Sequence, residues 1–155
     1  MFAQLDTKSV YSFMDSVVDL NTYVKRAKEL GYQSIGLMDR DNLYAAYHFA
    51  QLASKNGLRP LIGMEANLFY EGRKIPFRLL AKNNQGYKNL MKLATELSSG
   101  QREFTPFSDY LNDIALIIPS EDWEPGMSLG SEVFIGVRPE DAGKEFDYPV
   151  VPLHT

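Results

Sequence analysis

Cysteine is absent from the 155 residues, and histidine occurs only at His48 and His154. The first absence excludes a disulfide framework, a thiolate metal site and a thiol nucleophile. The two histidines do not supply catalysis either. His48 falls inside a helical pattern and reads as a packed or half-exposed residue, and His154, near the terminus, carries no assignment. No apolar run approaches the ~20 residues of a membrane span. The opening Met-Phe-Ala-Gln-Leu-Asp has neither the basic start nor the apolar stretch of a secretory signal. No glycine-rich phosphate loop and no Ser/His/Asp arrangement is present. Gly31, Gly57 and Gly100 stand where helices end. Positive charge is short as well. A net charge of −4 argues against a free-standing nucleic-acid binder driven by phosphate neutralisation. The expectation is a cytoplasmic protein with no membrane association.

What remains is an ordinary globular composition, 45% hydrophobic and 23% charged, in a length that suits one domain with a real core. The charge is unevenly spread: residues 121–147 carry −6 and the remainder +2. Arg73, Lys74, Arg78, Lys82, Lys88 and Lys92 read as a solvated strand edge and helix face, with a weak contact surface for nucleic acid or an acidic partner as the alternative.

Apolar periodicity alternates between strand and helix. Residues 3–6 form a short first strand. Leu20, Tyr23, Val24, Ala27 and Leu30 share one helical face, with Asp19 as cap and Gly31 as terminator. Residues 34–38 are a buried-type strand, and 42–55 a second helix with Leu43, Ala46, Tyr47, Ala50 and Ala53 on one stripe. An extended run over 61–70, the turn Glu71-Gly72 and a returning strand over 75–81 make a hairpin. A third helix carries Tyr87, Leu90, Met91, Ala94 and Leu97. Thr105-Pro106 then reads as a cap and first helical position of a short helix to about residue 111. Strands follow over 114–118, 133–137 and 150–153, with a loop over 119–131. The alternation predicts an α/β fold whose mainly parallel sheet is open or curved into a barrel. The chain stops at Thr155 directly after a buried-looking strand, so a piece of a longer protein is expected.

Three strand ends carry charge: Asp6 with Lys8, Asp39 with Arg40, and Glu65. On neighbouring parallel strands these five groups would face one end of the sheet, where sites are built in α/β proteins. Three carboxylates suggest a hard-cation or zinc site. Lysine has no acceptor and arginine does not deprotonate, so Lys8 and Arg40 argue the reverse. Taken singly, Asp6 and Asp39 also suit turn formers, and Lys8 and Arg40 suit surface ion pairs. Glu65 is harder to dismiss, because it interrupts an apolar run and a buried carboxylate needs a partner.

These residues carry a resemblance. Gln4-Leu5-Asp6-Thr7-Lys8-Ser9-Val10-Tyr11-Ser12-Phe13-Met14-Asp15 resembles the opening His-x-His-(Ser/Thr)-x-x-Ser-x-x-Asp motif of PHP (polymerase and histidinol phosphatase) domains. Its Tyr-Ser-x-x-Asp form is that of bacterial DNA polymerase III alpha subunits. The stretch from Met38 to Ala46 is similar to their Thr-Asp-His-Gly-Asn-Leu-Tyr-Gly-Ala, and that from Pro60 to Glu65 to their Pro-Ile-Ile-Gly-x-Glu. Leu79-Leu80-Ala81-Lys82-Asn83 followed by Gly86-Tyr87-Lys88-Asn89-Leu90 is similar to a fourth segment. The four motifs run in order over residues 4–97, and the opening resembles the DnaE-type subunit of Gram-positive bacteria.

The resemblance implies a distorted β/α barrel of the TIM-like PHP type, with residues 1–155 a single PHP domain from a longer polymerase chain. It implies up to three metal ions in intact members, but here the His-x-His positions hold Asp6 and Lys8 and the Asp-His pair is Asp39 and Arg40, while Glu65 is retained. The substitutions balance in charge, so the expectation is a degenerate site of internal salt bridges with no catalytic residue and no metal. Magnesium would serve the parent polymerase module, and Zn or Mn would enter only if the PHP site were active, through Asp6, Asp39 and Glu65. The implied role is structural and partner-docking, within a subunit that performs template-directed DNA synthesis. The implied partners are the rest of the alpha chain, replisome proteins such as a proofreading exonuclease, and primer–template DNA through the parent chain. A metal-dependent phosphoesterase or 3′–5′ proofreading nuclease is the alternative, with two metals ~3.5–4 Å apart clamping an in-line displacement. A stand-alone small-molecule-binding barrel is a third reading.

Overall fold

The structure, a computed structural model, describes residues 3–4, 19–130, 132–138, 140, 143–144, 146 and 148–152. Strands β1 (Ala3–Gln4), β2 (Ser34–Arg40), β3 (Arg59–Tyr70), β4 (Arg73–Ala81), β5 (Ile114–Pro119), β6 (Val133–Val137) and β7 (Val150–Pro152) form one sheet in sequence order. The β3–β4 and β4–β5 pairs are antiparallel, and the other four pairs are parallel. The sheet curls as a half-barrel, which matches the mainly parallel α/β fold expected from the sequence. The hairpin has the expected two-residue loop. Glu71 and Gly72 both take positive φ (49° and 81°), the combination whose twist matches that of the flanking strands.

Helices α1 (Leu20–Glu29), α2 (Ala46–Lys55) and α3 (Asn84–Ser98) cover one face of the sheet. Asp19 caps α1 by accepting from the Asn21 N–H at 3.1 Å, and Leu20, Val24 and Ala27 are its buried stripe. The Tyr23 and Phe49 rings stack between α1 and α2 at 6.0 Å. Asn83 caps α3, accepting from the Gly86 N–H at 2.9 Å. The main core lies between α3 and β3–β6, with Phe77, Leu90, Leu93, Ile114 and Ile135 almost fully enclosed. Opposite faces of one strand serve different layers. Leu37, Met64 and Leu79 face the helices, whereas Met38, Leu80, Ile117, Phe134 and Val151 cluster on the inner face of the curl.

Several bounds differ from the sequence reading: β2 runs on to Arg40, and β3 and β4 start two residues earlier, at Arg59 and Arg73. The second helix begins at Ala46 rather than residue 42. Asp41 takes φ 59°, and the Asn42 side chain accepts from the Tyr44 N–H and donates to the Arg40 carbonyl, so the chain makes a side-chain-closed turn first. The short helix α4 (Phe104–Phe107) is capped at Glu103, which places Thr105 and Pro106 inside its first turn, and it continues only as a 3₁₀ turn, Ser108–Tyr110. His48, expected to be packed or half-exposed, is exposed on α2.

Candidate functional site

The charged residues singled out in the sequence divide between places. Asp6, Lys8 and His154 lie outside the described residues. β2 and β3 run in parallel with Arg40 opposite Glu65, so these two share the inner face of the curl. Asp39 precedes Arg40 by one residue, and strand alternation turns it to the helix-covered face. It is 1% exposed there and is not without a partner. The described carboxylates Asp39 and Glu65 therefore do not converge on one point.

Glu65 is instead held by cations. Arg40 Nε donates to Glu65 Oε2 at 2.8 Å, and Arg78 Nη2 stands 3.6 Å from Glu65 Oε1. Arg78 is directly opposite Glu65 in the antiparallel β3–β4 register, so three adjacent strands each contribute one charge. The side chains of Glu65 and Arg78 are 5% and 7% exposed, and that of Arg40 38%. Arg78 is thus an internal ion-pair partner and not part of the solvated basic face expected for it.

A second pair lies at the end of β2. Arg102 Nη1 donates to Asp41 Oδ2 at 2.9 Å. Its position is set by β3, because the Phe69 N–H donates to the Arg102 carbonyl at 2.7 Å and Phe69 bridges Glu103. The Asp41 N–H donates to the Glu65 carbonyl at 2.8 Å, which ties this turn to the strand that carries the first pair.

Sequence reasoning missed Arg78, Asp41 and Arg102. Arg78 breaks the apolar run of β4 as Glu65 breaks that of β3, so the two interruptions were complementary. Asp41 stands where the resembled motif has glycine, and its positive φ shows what that glycine serves. Arg102 carried no signal, because its approach depends on the path of the loop after α3.

These residues do not fit a divalent cation. Both Glu65 oxygens already face guanidinium groups, and arginine offers no lone pair. A divalent ion ~5 Å from one guanidinium is repelled by roughly 6–7 kcal/mol at an effective dielectric of ~20. Among the described residues, no three His, Cys, Asp or Glu side chains come together to hold a metal.

The PHP domain profile matches residues 4–124. The chain belongs to the PHP domain family. It is 50% identical over 137 residues to a DNA polymerase III subunit alpha of Streptococcus pyogenes serotype M1, covering 88% of this chain and 13% of that one. It is 36% identical over 101 residues to the DNA polymerase III subunit alpha of Bacillus subtilis, covering 63% of this chain and 9% of that one. The chain therefore spans about an eighth of the length of the Streptococcus relative, 13%. Among solved structures, an amidohydrolase from Chromobacterium violaceum superposes with a TM-score of 0.53 at 12% identity, covering 79% of this chain and 69% of that one, a likeness of fold. No helix among the described residues is long and apolar enough to cross a membrane.

Proposed function

We propose that this chain is the amino-terminal PHP domain of a cytoplasmic bacterial DNA polymerase III alpha subunit, acting as a structural and partner-docking module and not as a hydrolase. The relatives that share half of its sequence carry that subunit's name. The observation that carries the degenerate reading is the double clamp on Glu65: the retained carboxylate is neutralised by Arg40 and Arg78, where a catalytic site needs it for a metal. A buried ion pair of this kind need not add net stability, yet losing one partner is costly. The domain therefore keeps the arginines once they are present. Template-directed synthesis, with its magnesium, belongs in this reading to the parent chain, as do primer–template DNA and replisome partners such as a proofreading exonuclease.

The test is metal analysis of the purified chain by mass spectrometry, together with hydrolysis of a model phosphodiester and of a DNA 3′ end. The expected result is no stoichiometric Zn or Mn and no hydrolysis. A stoichiometric metal load, or a hydrolysis abolished by Glu65→Ala, would overturn the reading in favour of the metal-dependent phosphoesterase.

A further inference from the structure

Between α2 and the start of α3 lies a groove of about 310 Å³, at the end of the hairpin away from its turn. Here α2 packs beside the first residues of β3, and these form the floor. Ala50, Pro60 and Ile62 make that floor aliphatic, with Leu61 contributing between the last two, and none of them is fully buried. Arg59 and Lys82 supply two cations, and no carboxylate among the described residues lines the groove. In a chain with 20 acidic against 16 basic residues these two cations stand out, although Glu132 pairs with Lys82 from outside the lining. Tyr47 and Tyr87 line it from opposite helices, and Tyr47 is 70% exposed. Tyr47 therefore presents a large amphipathic ring to solvent at the rim.

We propose that this groove docks a peptide segment of a protein partner, an acidic one that carries an aliphatic or aromatic anchor. The anchor seats against Ala50, Pro60 and Ile62, and the carboxylates face Arg59 and Lys82. Lys82 is engaged by Glu132 at 3.1 Å, but both groups are more than 40% exposed, and an incoming carboxylate competes at little cost. Arg59 is exposed, and its backbone N–H is used in pairing to the Gln33 carbonyl, so only its side chain is offered to a partner. A peptide is favoured over single-stranded DNA because the aliphatic floor seats an apolar side chain, which a nucleotide does not carry. The proposal stands on the groove alone and does not depend on the fate of Glu65.

The experiment is a fluorescence-anisotropy titration of the full 155-residue chain with a labelled peptide of alternating leucine and aspartate, about twelve residues long. Parallel titrations use the same peptide with lysine for aspartate and an oligo-dT of similar length. Binding of the acidic peptide at least ~10-fold tighter than either control is expected, weakening as salt rises. Arg59→Glu is expected to weaken it ~10-fold, and Ala50→Phe, which fills the groove, by at least as much. Lys55→Glu, an equal charge change on α2 outside the groove, should alter it less than ~2-fold. A thermal melt of each variant shows that it is folded; Arg59, being exposed, remains informative if Ala50→Phe is not. Tighter binding of oligo-dT, equal binding of the lysine peptide, or indifference to Arg59→Glu overturns the proposal. Concentration-dependent dimerisation seen by sedimentation and abolished by Arg59→Glu also overturns it, because the groove would then be an interface between copies.

Discussion

Glu65 and Arg78 face each other across the β3–β4 ladder, 3.6 Å apart at their charged ends and both almost fully enclosed. Arg40 completes the arrangement from β2 with a 2.8 Å hydrogen bond. Glu65→Gln keeps the shape of the side chain but leaves two guanidinium groups facing a neutral amide. Removing one partner from a buried ion pair costs ~3–5 kcal/mol, and the partial exposure of Arg40 places this case at about 3 kcal/mol. Arg78→Met leaves Glu65 with Arg40 and removes a buried cation, so its cost should be smaller, about 1–2 kcal/mol. Urea unfolding of the two variants decides the order, and a more damaging Arg78→Met would mean that Arg40 contributes little.

Asp41 and Arg102 lead to a different expectation, because backbone conformation and charge pull separately. At φ 59° any side chain with a Cβ is strained, and aspartate tolerates the region better than most. Asp41→Ala loses both that tolerance and the 2.9 Å contact to Arg102, at an expected cost of about 1–2 kcal/mol. Arg102→Ala loses only a partly exposed ion pair, below about 1 kcal/mol. Asp41→Gly relieves the backbone while losing the pair, so it should fall close to the unaltered protein. Comparing the three by thermal unfolding separates strain from charge. Equal losses for Asp41→Ala and Asp41→Gly would show that φ does not matter here.

The strand–helix order, the hairpin and the helical faces were legible because each rests on local periodicity and turn chemistry. Gly72 is the clearest case, since a two-residue loop with positive φ favours glycine, whereas Glu71 takes φ 49° without being a residue that favours it. The candidate site was legible only in part. Glu65 announced itself as a charge in an apolar run, and pairing Arg40 with it required only that β2 and β3 be neighbours. The partner from β4 was obscured because Arg78 sat among cations that resemble a surface series. Asp39 shows the opposite limit: adjacent in sequence to Arg40, it is turned to the other face by the strand period of two.

Gly86 lies in the first turn of α3, at a close approach between layers. A Cβ there would overlap the Asp113 carbonyl oxygen, which is held in place by the Lys82 N–H at 2.9 Å. The obstacle is backbone, with Asp113 itself at φ 61°, so it cannot swing aside as a side chain could. Gly86→Ala gains helix propensity of roughly 1 kcal/mol in an unhindered helix. The overlap outweighs that gain, with a net loss of about 1–3 kcal/mol typical of overpacking. Chemical denaturation measures it. A stabilised Gly86→Ala would show that α3 can shift away from the Asp113 turn freely.

Asp122 gives a pH dependence whose sign can be worked out. Burial raises its carboxyl above the ordinary aspartate value of 3.8, and the neighbouring Glu121 adds to the rise, while Arg73 and Arg138 oppose it. Between 3.8 and its raised folded value, the native state binds more of this proton than the unfolded chain does. The contribution of Asp122 to stability therefore falls as pH rises through that window and returns on acidification. Asp122→Asn mimics the protonated form and retains the backbone carbonyl that accepts from Arg73. It should match or exceed the stability of the unaltered chain near pH 7, with the advantage vanishing below the window. Urea unfolding at both pH values measures the difference. If Asp122→Asn is less stable near pH 7 and matches the unaltered chain below the window, the ion pair with Arg73, at 3.7 Å, outweighs the cost of burial.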